Sequence, residues 1–388
     1  MSADLREPLS PEHLHYRDSA RRFVAAHIVP HRERWEEQHR PDRSLFEKAG
    51  TLGVFGFGAP EEFGGAGFTD FRFNAIFSEC LAEQDALAAG LCLSMQADIA
   101  MPYLVHSTSD EQRARWLPGA IAGTSIVAIA MTEPGGGSDV GAVQTSAVRD
   151  GDDYVVNGSK TFITNAGNAD LIVTAVRTGP GKHLSLLAVP GSAPGLTKGG
   201  PLPKVGQSGA DTCEIFFEDV RVPVADRLGE EGGGLRIIKR HLTQERLIVA
   251  VHGLAQAERA FQLALEHARE RRAFGRSIGA FQHNKFVLAE IKTELDIARA
   301  YLERLIPQHT SGRLDHIDAA QAKWWMTELC KRVVDRAVQL FGGYGYMREY
   351  PVARAWVDSR VQTIYAGTTE ILKDMIGTSL GLREDPRG

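Results

Sequence analysis

The stretch that decides the fold is Tyr154-Val-Val-Asn157-Gly158-Ser159-Lys-Thr-Phe-Ile163, because it carries an Asn-Gly pair between two short runs of strand-forming residues. Such a pair is a strong sequence signal for a β-hairpin. Further strand-like runs follow at residues 171–176, 184–189 and 212–222. The sequence therefore predicts a hairpin that turns at Asn157-Gly158, inside a small antiparallel β domain.

Helical signals dominate on both sides of this β segment. On the N-terminal side, Ser10-Pro11 indicates a helix start, Pro30 should end that helix, and Ser109 to Gln112 form a capping box. On the C-terminal side, three long segments repeat apolar residues at helical spacing, and two shorter helices follow. We predict an α+β protein with an N-terminal α-helical domain, a middle antiparallel β domain and a C-terminal four-helix bundle. The predicted domains span residues 1–123, 124–230 and 231–388.

Composition argues against several classes of partner. The formal net charge is -5 and no basic block stands out, so we expect no nucleic-acid partner. No continuous apolar run reaches the roughly 18–20 residues that cross a bilayer, and the first residues do not resemble a signal peptide. The four cysteines lie far apart, without CxxC or metal-ligand spacing. We expect a cytoplasmic protein with reduced thiols, no metal site and no membrane span.

One carboxylate stands out in the C-terminal part. Glu245 shares a predicted helix face with three apolar residues, Ile238, Leu242 and Val249. Burial raises the pKa of a carboxyl, which suits a general base that works near neutral pH. The competing interpretation is a structural carboxylate paired with a neighbouring arginine or backbone donor.

Three glycine-containing segments are further candidates for ligand binding. The segment Met131-Thr-Glu-Pro-Gly-Gly-Gly-Ser138-Asp139 exposes backbone N–H groups, although an ordinary polar turn also explains it. In Arg271-Arg-Ala-Phe274-Gly-Arg, an arginine is available for a pyrophosphate and a phenylalanine for an adenine ring. The alternative there is a plain helix end. Gln339-Leu-Phe-Gly342-Gly343-Tyr-Gly-Tyr allows close backbone approach, and a helix-ending turn explains it equally well.

Taken together and in this order, these segments resemble the acyl-CoA dehydrogenase family over residues 10–382. Four motifs carry the resemblance: the Met131 segment, the Arg271 segment with Gln282, the Gln339 segment, and Ile364-Tyr-Ala-Gly-Thr-Thr-Glu370-Ile. The resemblance implies FAD as cofactor and a homotetramer built as a dimer of dimers. Many relatives carry Trp where this chain has Phe162.

The resemblance also implies which residues hold the cofactor. Around the flavin ring it implies Met131, Thr132, Gly137, Ser138, Phe162, Ile163 and Thr164. For the pyrophosphate and adenosine, partly across a subunit interface, it implies Arg271, Phe274, Gln282, Gln339, Gly342 and Gly343. Thr368 and Glu370 match the end of the cofactor site.

The chain departs from much of the family at residue 366. Relatives often have a catalytic Glu in Tyr-Glu-Gly-Thr, whereas this chain has Tyr365-Ala366-Gly367-Thr368. Isovaleryl-CoA and long-chain acyl-CoA dehydrogenases also lack that Glu and place the base on the long helix, before an Arg. Glu245-Arg246 matches that position. The resemblance therefore implies Glu245 as the base and the Ala366 N–H as a donor to the thioester carbonyl. The implied substrate-binding residues are Ser138, Thr243, Arg246 and Gly367.

The activity implied by the resemblance is α,β-dehydrogenation of an acyl-CoA thioester to the trans-2-enoyl-CoA, as in β-oxidation of fatty acids. Electrons would pass to an electron transfer flavoprotein. Three alternatives stay open: a flavin-dependent oxidase or monooxygenase, a dehydrogenase of acyl groups on a carrier protein, and a catalytically silent scaffold of the same fold. Glu245 argues against the scaffold.

Overall fold

The structure is a computed structural model, and it describes residues 8–181 and 183–382. Its N-terminal part is helical, as predicted. Ser10 caps the first helix, Pro11 opens it, and the helix ends before Pro30. The capping box from Ser109 to Gln112 is also confirmed. The helices are α1 (Pro11–His27), α2 (Arg32–Gln38), α3 (Ser44–Thr51), α4 (Phe71–Glu83), α5 (Leu87–Ser94), α6 (Met101–His106) and α7 (Asp110–Ala122).

Helices α5 and α6 are joined without a break by a π-helical segment, Met95–Ala100. The combined stretch Leu87–His106 has the length and apolar composition of a membrane span, with a mean hydropathy of 1.2. However, 78% of its apolar window is buried inside the protein, as is usual for the core helix of a folded domain. It packs beside the long C-terminal helix and so forms one wall of the site described below.

The middle part is a sheet whose long third strand corrects the predicted hairpin. One 12-residue strand runs straight through Asn157-Gly158. Asn157 exchanges two hydrogen bonds of 2.9 Å with Asp219 on the neighbouring strand, and the pair forms a bulge instead of a turn. The hairpin turns earlier, after Asp150. The strands are β1 (Val127–Ala130), β2 (Ser146–Asp150), β3 (Asp153–Thr164), β4 (Leu171–Arg177), β5 (Leu184–Pro190), β6 (Leu196–Lys198), β7 (Thr212–Pro223) and β8 (Arg227–Leu228).

The sheet is mostly antiparallel, as predicted, but it also contains two parallel pairings. Its order is β6-β7-β3-β2-β4-β5-β8, and β1 pairs with β4. The pairing of β1 with β4 is parallel, and β2 meets β4 at one parallel position, whereas the other pairs are antiparallel. Long connections between these strands make the parallel pairings possible, because a parallel pair cannot be closed by a tight turn.

The C-terminal part contains three long helices and two short ones, as predicted. The short α11 and α12 both pack against α10. A two-stranded hairpin of β9 and β10 follows α8. It contains the Arg271 segment, for which the sequence left two interpretations open, a ligand-binding loop and a plain helix end. The elements are α8 (Gly234–Glu270), β9 (Arg272–Ala273), β10 (Arg276–Ser277), α9 (Gln282–Thr310), α10 (His316–Phe341), α11 (Pro351–Ser359) and α12 (Thr369–Ser379). The domain boundaries given above stay a prediction.

Candidate active site

Glu245 lies in the N-terminal half of α8, with only 6% of its surface exposed. The apolar helix face predicted for it is present, since Ile238 and Val249 are buried and Leu242 packs against the N-terminal core. Its one hydrogen-bond partner among the described residues is Tyr103 of α6, whose hydroxyl donates to Oε1 at 2.9 Å. The base candidate is therefore held between the N-terminal and C-terminal parts of the chain.

The electrostatics of Glu245 match the expectation from the sequence. Burial raises the pKa of its carboxyl to about 7, while the Tyr103 hydrogen bond and the nearby Arg246 charge act in the opposite direction. Tyr103 is itself fixed by the ring of His241, which lies 4.3 Å away. His241 contacts the Ser107 hydroxyl at 2.9 Å, and burial lowers its pKa to about 3, so its imidazole is neutral. The carboxyl can thus gain or lose a proton near neutral pH.

The residue after Glu245 faces a turn between α11 and α12. Arg246 is buried, and its Nε has no hydrogen-bond partner within residues 8–181 and 183–382. A Cβ placed on Gly367 would lie 4.0 Å from the Arg246 Nη2, so the guanidinium borders this turn. Ala366 and Gly367 both have positive φ values, 53° and 92°. A non-glycine residue in this conformation is strained and tends to occur at functional sites.

This turn presents free backbone donors. In the described part of the chain, the N–H groups of Ala366 and Gly367 donate no hydrogen bond. Thr368 ends the turn by capping α12, with its hydroxyl accepting from the Ile371 N–H. Ala366 packs against the apolar cluster that includes Leu247 to Val249 of α8. The turn is therefore fixed, and its N–H groups are available to a carbonyl oxygen.

The glycine-rich segment after β1 is the first of the predicted cofactor-binding segments. Met131 and Thr132 are half-buried, and the backbone of Gly137 and Ser138 is exposed. A buried ion pair supports the segment, with the Lys160 ammonium 2.9 Å from the Glu133 carboxylate and 3.2 Å from the Met131 carbonyl. This ion pair therefore holds the exposed glycine-rich segment in place.

Phe162 and its neighbours lie beside this segment. The register of β3 against β7 shifts between Lys160 and Ile163, and Phe162 has a φ of 59°. This bulge turns the Phe162 ring outward, with 68% of its surface exposed. Ile163 is buried in the sheet core, so only its backbone can face a ligand. Thr164 stays half-buried on the strand.

The remaining cofactor candidates form an exposed group at the end of α8 and α10. Arg271 places its guanidinium 5.9 Å from the Tyr344 ring, which brings two of the sequence motifs together. Phe274 sits at the tip of the β9–β10 hairpin with a φ of 52° and is 95% exposed. The other members of this group are all exposed: Gln282, Gln339, Gly342 and Gly343.

The residues present fit a flavin dinucleotide. Phe162 offers an outward-facing aromatic face to a planar ring system. Gly135 and Gly136 have open space around them, as a backbone needs when a ligand approaches closely. Arg271 provides a fork of donors suited to a pyrophosphate. Glu370 is exposed at the first turn of α12.

Two further predicted substrate residues are Thr243 and Ser138. Thr243 lines a cavity of about 580 Å³ between α4, α6, α8 and the α9–α10 loop. His241, one helical turn before Glu245, lines the same cavity, whereas Glu245 and Ala366 do not. Ser138 is exposed on the glycine-rich segment.

Sequence reasoning missed three residues of the site: Tyr103, Lys160 and Lys323. Lys323 of α10 is fully buried and donates to the Gly367 carbonyl at 2.7 Å. Tyr103 had no signal, because it lies in a continuously apolar segment. A sequence signal did mark Lys323. It shares a predicted helix face with Ala319, Met326 and Cys330, just as Glu245 shares one with apolar residues on its own helix.

The chain has a helical part, a β-sheet part and a second helical part, and the known proteins that share this arrangement and sequence are oxidoreductases. The chain belongs to the acyl-CoA dehydrogenase family. The N-terminal domain of the family matches residues 10–124, its middle domain residues 128–220 and its C-terminal domain residues 232–381. This family is FAD-dependent.

Individual relatives agree over nearly the whole chain. The long-chain specific acyl-CoA dehydrogenase of Rattus norvegicus mitochondria is 40% identical, over 97% of this chain and 88% of its own length. The acyl-CoA dehydrogenase of Geobacillus kaustophilus is 41% identical, with a TM-score of 0.94 over 97% of this chain and 100% of its own. A glutaryl-CoA dehydrogenase of Mycobacterium smegmatis in complex with FADH2 is 25% identical, with a TM-score of 0.90 over 98% and 97% of the two chains.

Proposed function

We propose that this protein oxidises an acyl-CoA thioester to its trans-2-enoyl-CoA, with Glu245 as the residue that removes the α-proton. The observation that carries the proposal is the Glu245 carboxyl, which is buried, has a pKa of about 7 and lies next to Arg246 and its free-donor turn. A general base is most effective when its pKa lies near the working pH. A purely structural carboxylate is normally paired so that it stays ionised.

Each residue of the site has a role in this proposal. The Ala366 N–H donates to the thioester carbonyl oxygen and makes the α-proton more acidic. Tyr103 holds Glu245 in place and Arg246 orients the substrate. Met131, Thr132, Gly137, Ser138, Phe162 and Thr164 hold the flavin ring. FAD, when bound, supplies the acceptor for the hydride that leaves the β-carbon.

Three further parts of the proposal concern partners and location. The homotetramer is proposed because it is typical of the family. We propose that the neighbouring subunit completes the adenosine end of each FAD site and that an electron transfer flavoprotein takes the electrons. Four buried free cysteines are consistent with the reducing cytoplasm.

The decisive experiment is anaerobic bleaching of the FAD absorbance by a panel of short, branched, aryl and long acyl-CoAs. We expect at least one to bleach stoichiometrically, and the long chains to act fastest, given the 40% identity to a long-chain specific acyl-CoA dehydrogenase. The same acyl groups on a carrier protein test the carrier alternative. Hydrogen peroxide formation in air, compared with reduction of the electron carrier, tests the oxidase alternative. No bleaching by any thioester would leave only the silent scaffold.

A further inference from the structure

Lys323 is a fully buried lysine in the apolar face of α10. Its Nζ donates to the Gly367 carbonyl at 2.7 Å. Within the described ranges no carboxylate lies within 4 Å of this ammonium group, and the acidic groups that act on it, Glu328 and Glu370, are farther away. Burying a cationic group without a paired anion is costly, so a lysine in this position calls for a function.

Lys323 touches the turn that carries the free N–H donors. Ala366 and Gly367 have consecutive positive φ values, a strained arrangement that persists only when its surroundings fix it. Thr368 fixes the turn on one side by capping α12. Lys323 fixes it on the other side through the Gly367 carbonyl. Without Lys323 the Gly367 carbonyl loses its side-chain hydrogen bond, and the turn is left with the Thr368 cap and the packing of Ala366.

Lys323 also affects Arg246. The Arg246 guanidinium borders Gly367, yet its Nε donates to nothing in the described chain. Because Lys323 already occupies the Gly367 carbonyl, Arg246 stays free for the substrate. The two cations are close enough to interact, since burial and the Arg246 charge lower the pKa of Lys323 to about 7.

We infer that Lys323 is a positioning residue for the proposed dehydrogenation: by binding the Gly367 carbonyl, it aims the Ala366 N–H at the thioester oxygen and keeps Arg246 free. This inference rests on the proposed function and adds a residue to it. Lys323 touches neither substrate nor cofactor, so it acts through the turn. Lys160, which is also fully buried, has a carboxylate partner in Glu133, whereas Lys323 has none within residues 8–181 and 183–382.

The test is Lys323→Met in the full-length, FAD-loaded protein, with Lys331→Met as the matched control. Lys331 lies on the same helix but is partly exposed, and its ammonium group pairs with the Glu328 carboxylate instead of a backbone carbonyl. Two quantities are measured for each variant: the rate of anaerobic flavin bleaching by the best acyl-CoA, and the apparent pKa of a bound 3-ketoacyl-CoA. The second follows the long-wavelength absorbance of the ligand enolate beside oxidised flavin.

We expect Lys323→Met to keep its FAD and its ground-state substrate affinity. Bleaching should slow by roughly tenfold or more, because a misplaced oxyanion donor loses part of its effect. The bound ligand should become about tenfold less acidic at its α-carbon. Lys323→Gln, which retains a neutral donor, should recover part of both losses, and Lys331→Met should match the wild type. A purely structural role would not move the ligand acidity in folded, FAD-loaded protein.

Several outcomes overturn the inference. If Lys323→Met has wild-type bleaching and wild-type ligand acidity, Lys323 does not position the turn. If both Lys323→Met and Lys323→Gln fail to fold or to hold FAD, Lys323 is structural. A different failure is separable: if no acyl thioester bleaches the wild-type flavin, the proposed function fails regardless of Lys323.

Discussion

Two buried glutamates, Glu133 in the middle part and Glu245 on α8, have similar exposure but opposite pKa shifts. Glu133 is 9% exposed and Glu245 is 6% exposed. Burial acts to raise the pKa of Glu133, but the Lys160 ammonium, the Thr145 hydroxyl and two backbone N–H groups lower it to about 2. Burial raises the pKa of Glu245 to about 7, because a single tyrosine hydroxyl cannot compensate.

The difference shows that burial alone does not decide whether a carboxylate is structural or chemical. Burial always disfavours the charged form, and the donors around the group determine whether that effect is reversed. Glu133 is surrounded by donors and stays ionised, so it holds the glycine-rich segment in place. Glu245 has few donors and can exchange a proton near neutral pH. The same substitution at each residue should therefore have different consequences.

Glu245→Gln should produce the largest effect, a loss of at least about 10²-fold in the rate of anaerobic flavin bleaching. The amide has nearly the same volume but cannot accept the α-proton. Stopped-flow absorbance on the best substrate measures the rate. FAD and substrate should still bind, and adding Ala366→Glu to the variant is expected to restore part of the rate.

Glu133→Gln serves as the matched control for that experiment. It alters a carboxylate of similar exposure that lies outside the proposed chemistry. Near-normal bleaching by Glu245→Gln would contradict its assignment as the base and return it to a structural role. A large loss of rate per bound flavin in Glu133→Gln would remove the contrast between the two residues.

Glu133→Gln is itself expected to lower stability by about 3 kcal/mol, the low end for breaking a buried ion pair. The change leaves the fully buried Lys160 without its anion. The glycine-rich segment should loosen, so the variant should also lose FAD more readily. Thermal melting and FAD content on gel filtration measure the two effects. An unchanged melting temperature would show that the pair contributes no stability.

Much of this arrangement was predictable from the sequence. The three-part order, the caps of α1 and α7 and the raised pKa of Glu245 follow from local patterns of capping residues and apolar spacing. The Asn157-Gly158 hairpin was wrong because the turn signal is local, whereas the pairing of Asn157 with Asp219 joins residues far apart in the chain. The parallel β1–β4 pairing escaped prediction for the same reason.

The partners of the site residues were the least predictable part. Tyr103 reaches Glu245 across 142 positions of sequence, and no motif marks it. Lys160 lies in a strand whose pattern indicated only a hairpin. Lys323 could have been predicted in the same way as Glu245. Both are charged residues in an apolar helical stripe, and this pattern is visible without knowing the partner of either residue. Contacts between distant segments require the fold itself.

The pH dependence of stability should distinguish the two glutamates further. The folded-state pKa of Glu245, about 7, lies above its ordinary value of 4.5, so its protonated form is favoured on folding. Stability from this group is present below about pH 4.5 and is lost as the pH rises through 7. Replacing Glu245 by Gln should therefore stabilise the protein by about 2 kcal/mol more at pH 8 than at pH 5.

Melting temperatures of the wild type and Glu245→Gln at the two pH values measure this effect, and the comparison cancels the other titrating groups. Glu133 should behave oppositely. Its pKa is lowered, so its stabilisation is present above about pH 4.5 and is lost only as the pH falls towards 2. Glu133→Gln should destabilise the protein more at pH 5 than at pH 8. Burial lowers the pKa of Lys160 to about 8 even beside Glu133, so without that anion Lys160 stays charged at pH 5 and can lose its proton at pH 8. If the difference in melting temperature between Glu245→Gln and the wild type does not change with pH, the pKa of the Glu245 carboxyl is not raised.

The smallest predicted effect is that of Tyr103→Phe, which tests whether one donor sets the pKa of Glu245. The hydroxyl donates to Oε1 at 2.9 Å and favours the ionised carboxylate. Its loss should raise the pKa by about one unit, since a hydrogen bond to a charged group contributes about 1.5 kcal/mol. The pH profile of bleaching should shift by that amount towards higher pH, so the rate should fall at pH 7 and recover at pH 9.

Tyr16→Phe is the control, because Tyr16 is also buried and its hydroxyl has no partner in the described residues. An unshifted profile for Tyr103→Phe would mean that burial alone determines the Glu245 pKa, and that donors matter only at Glu133.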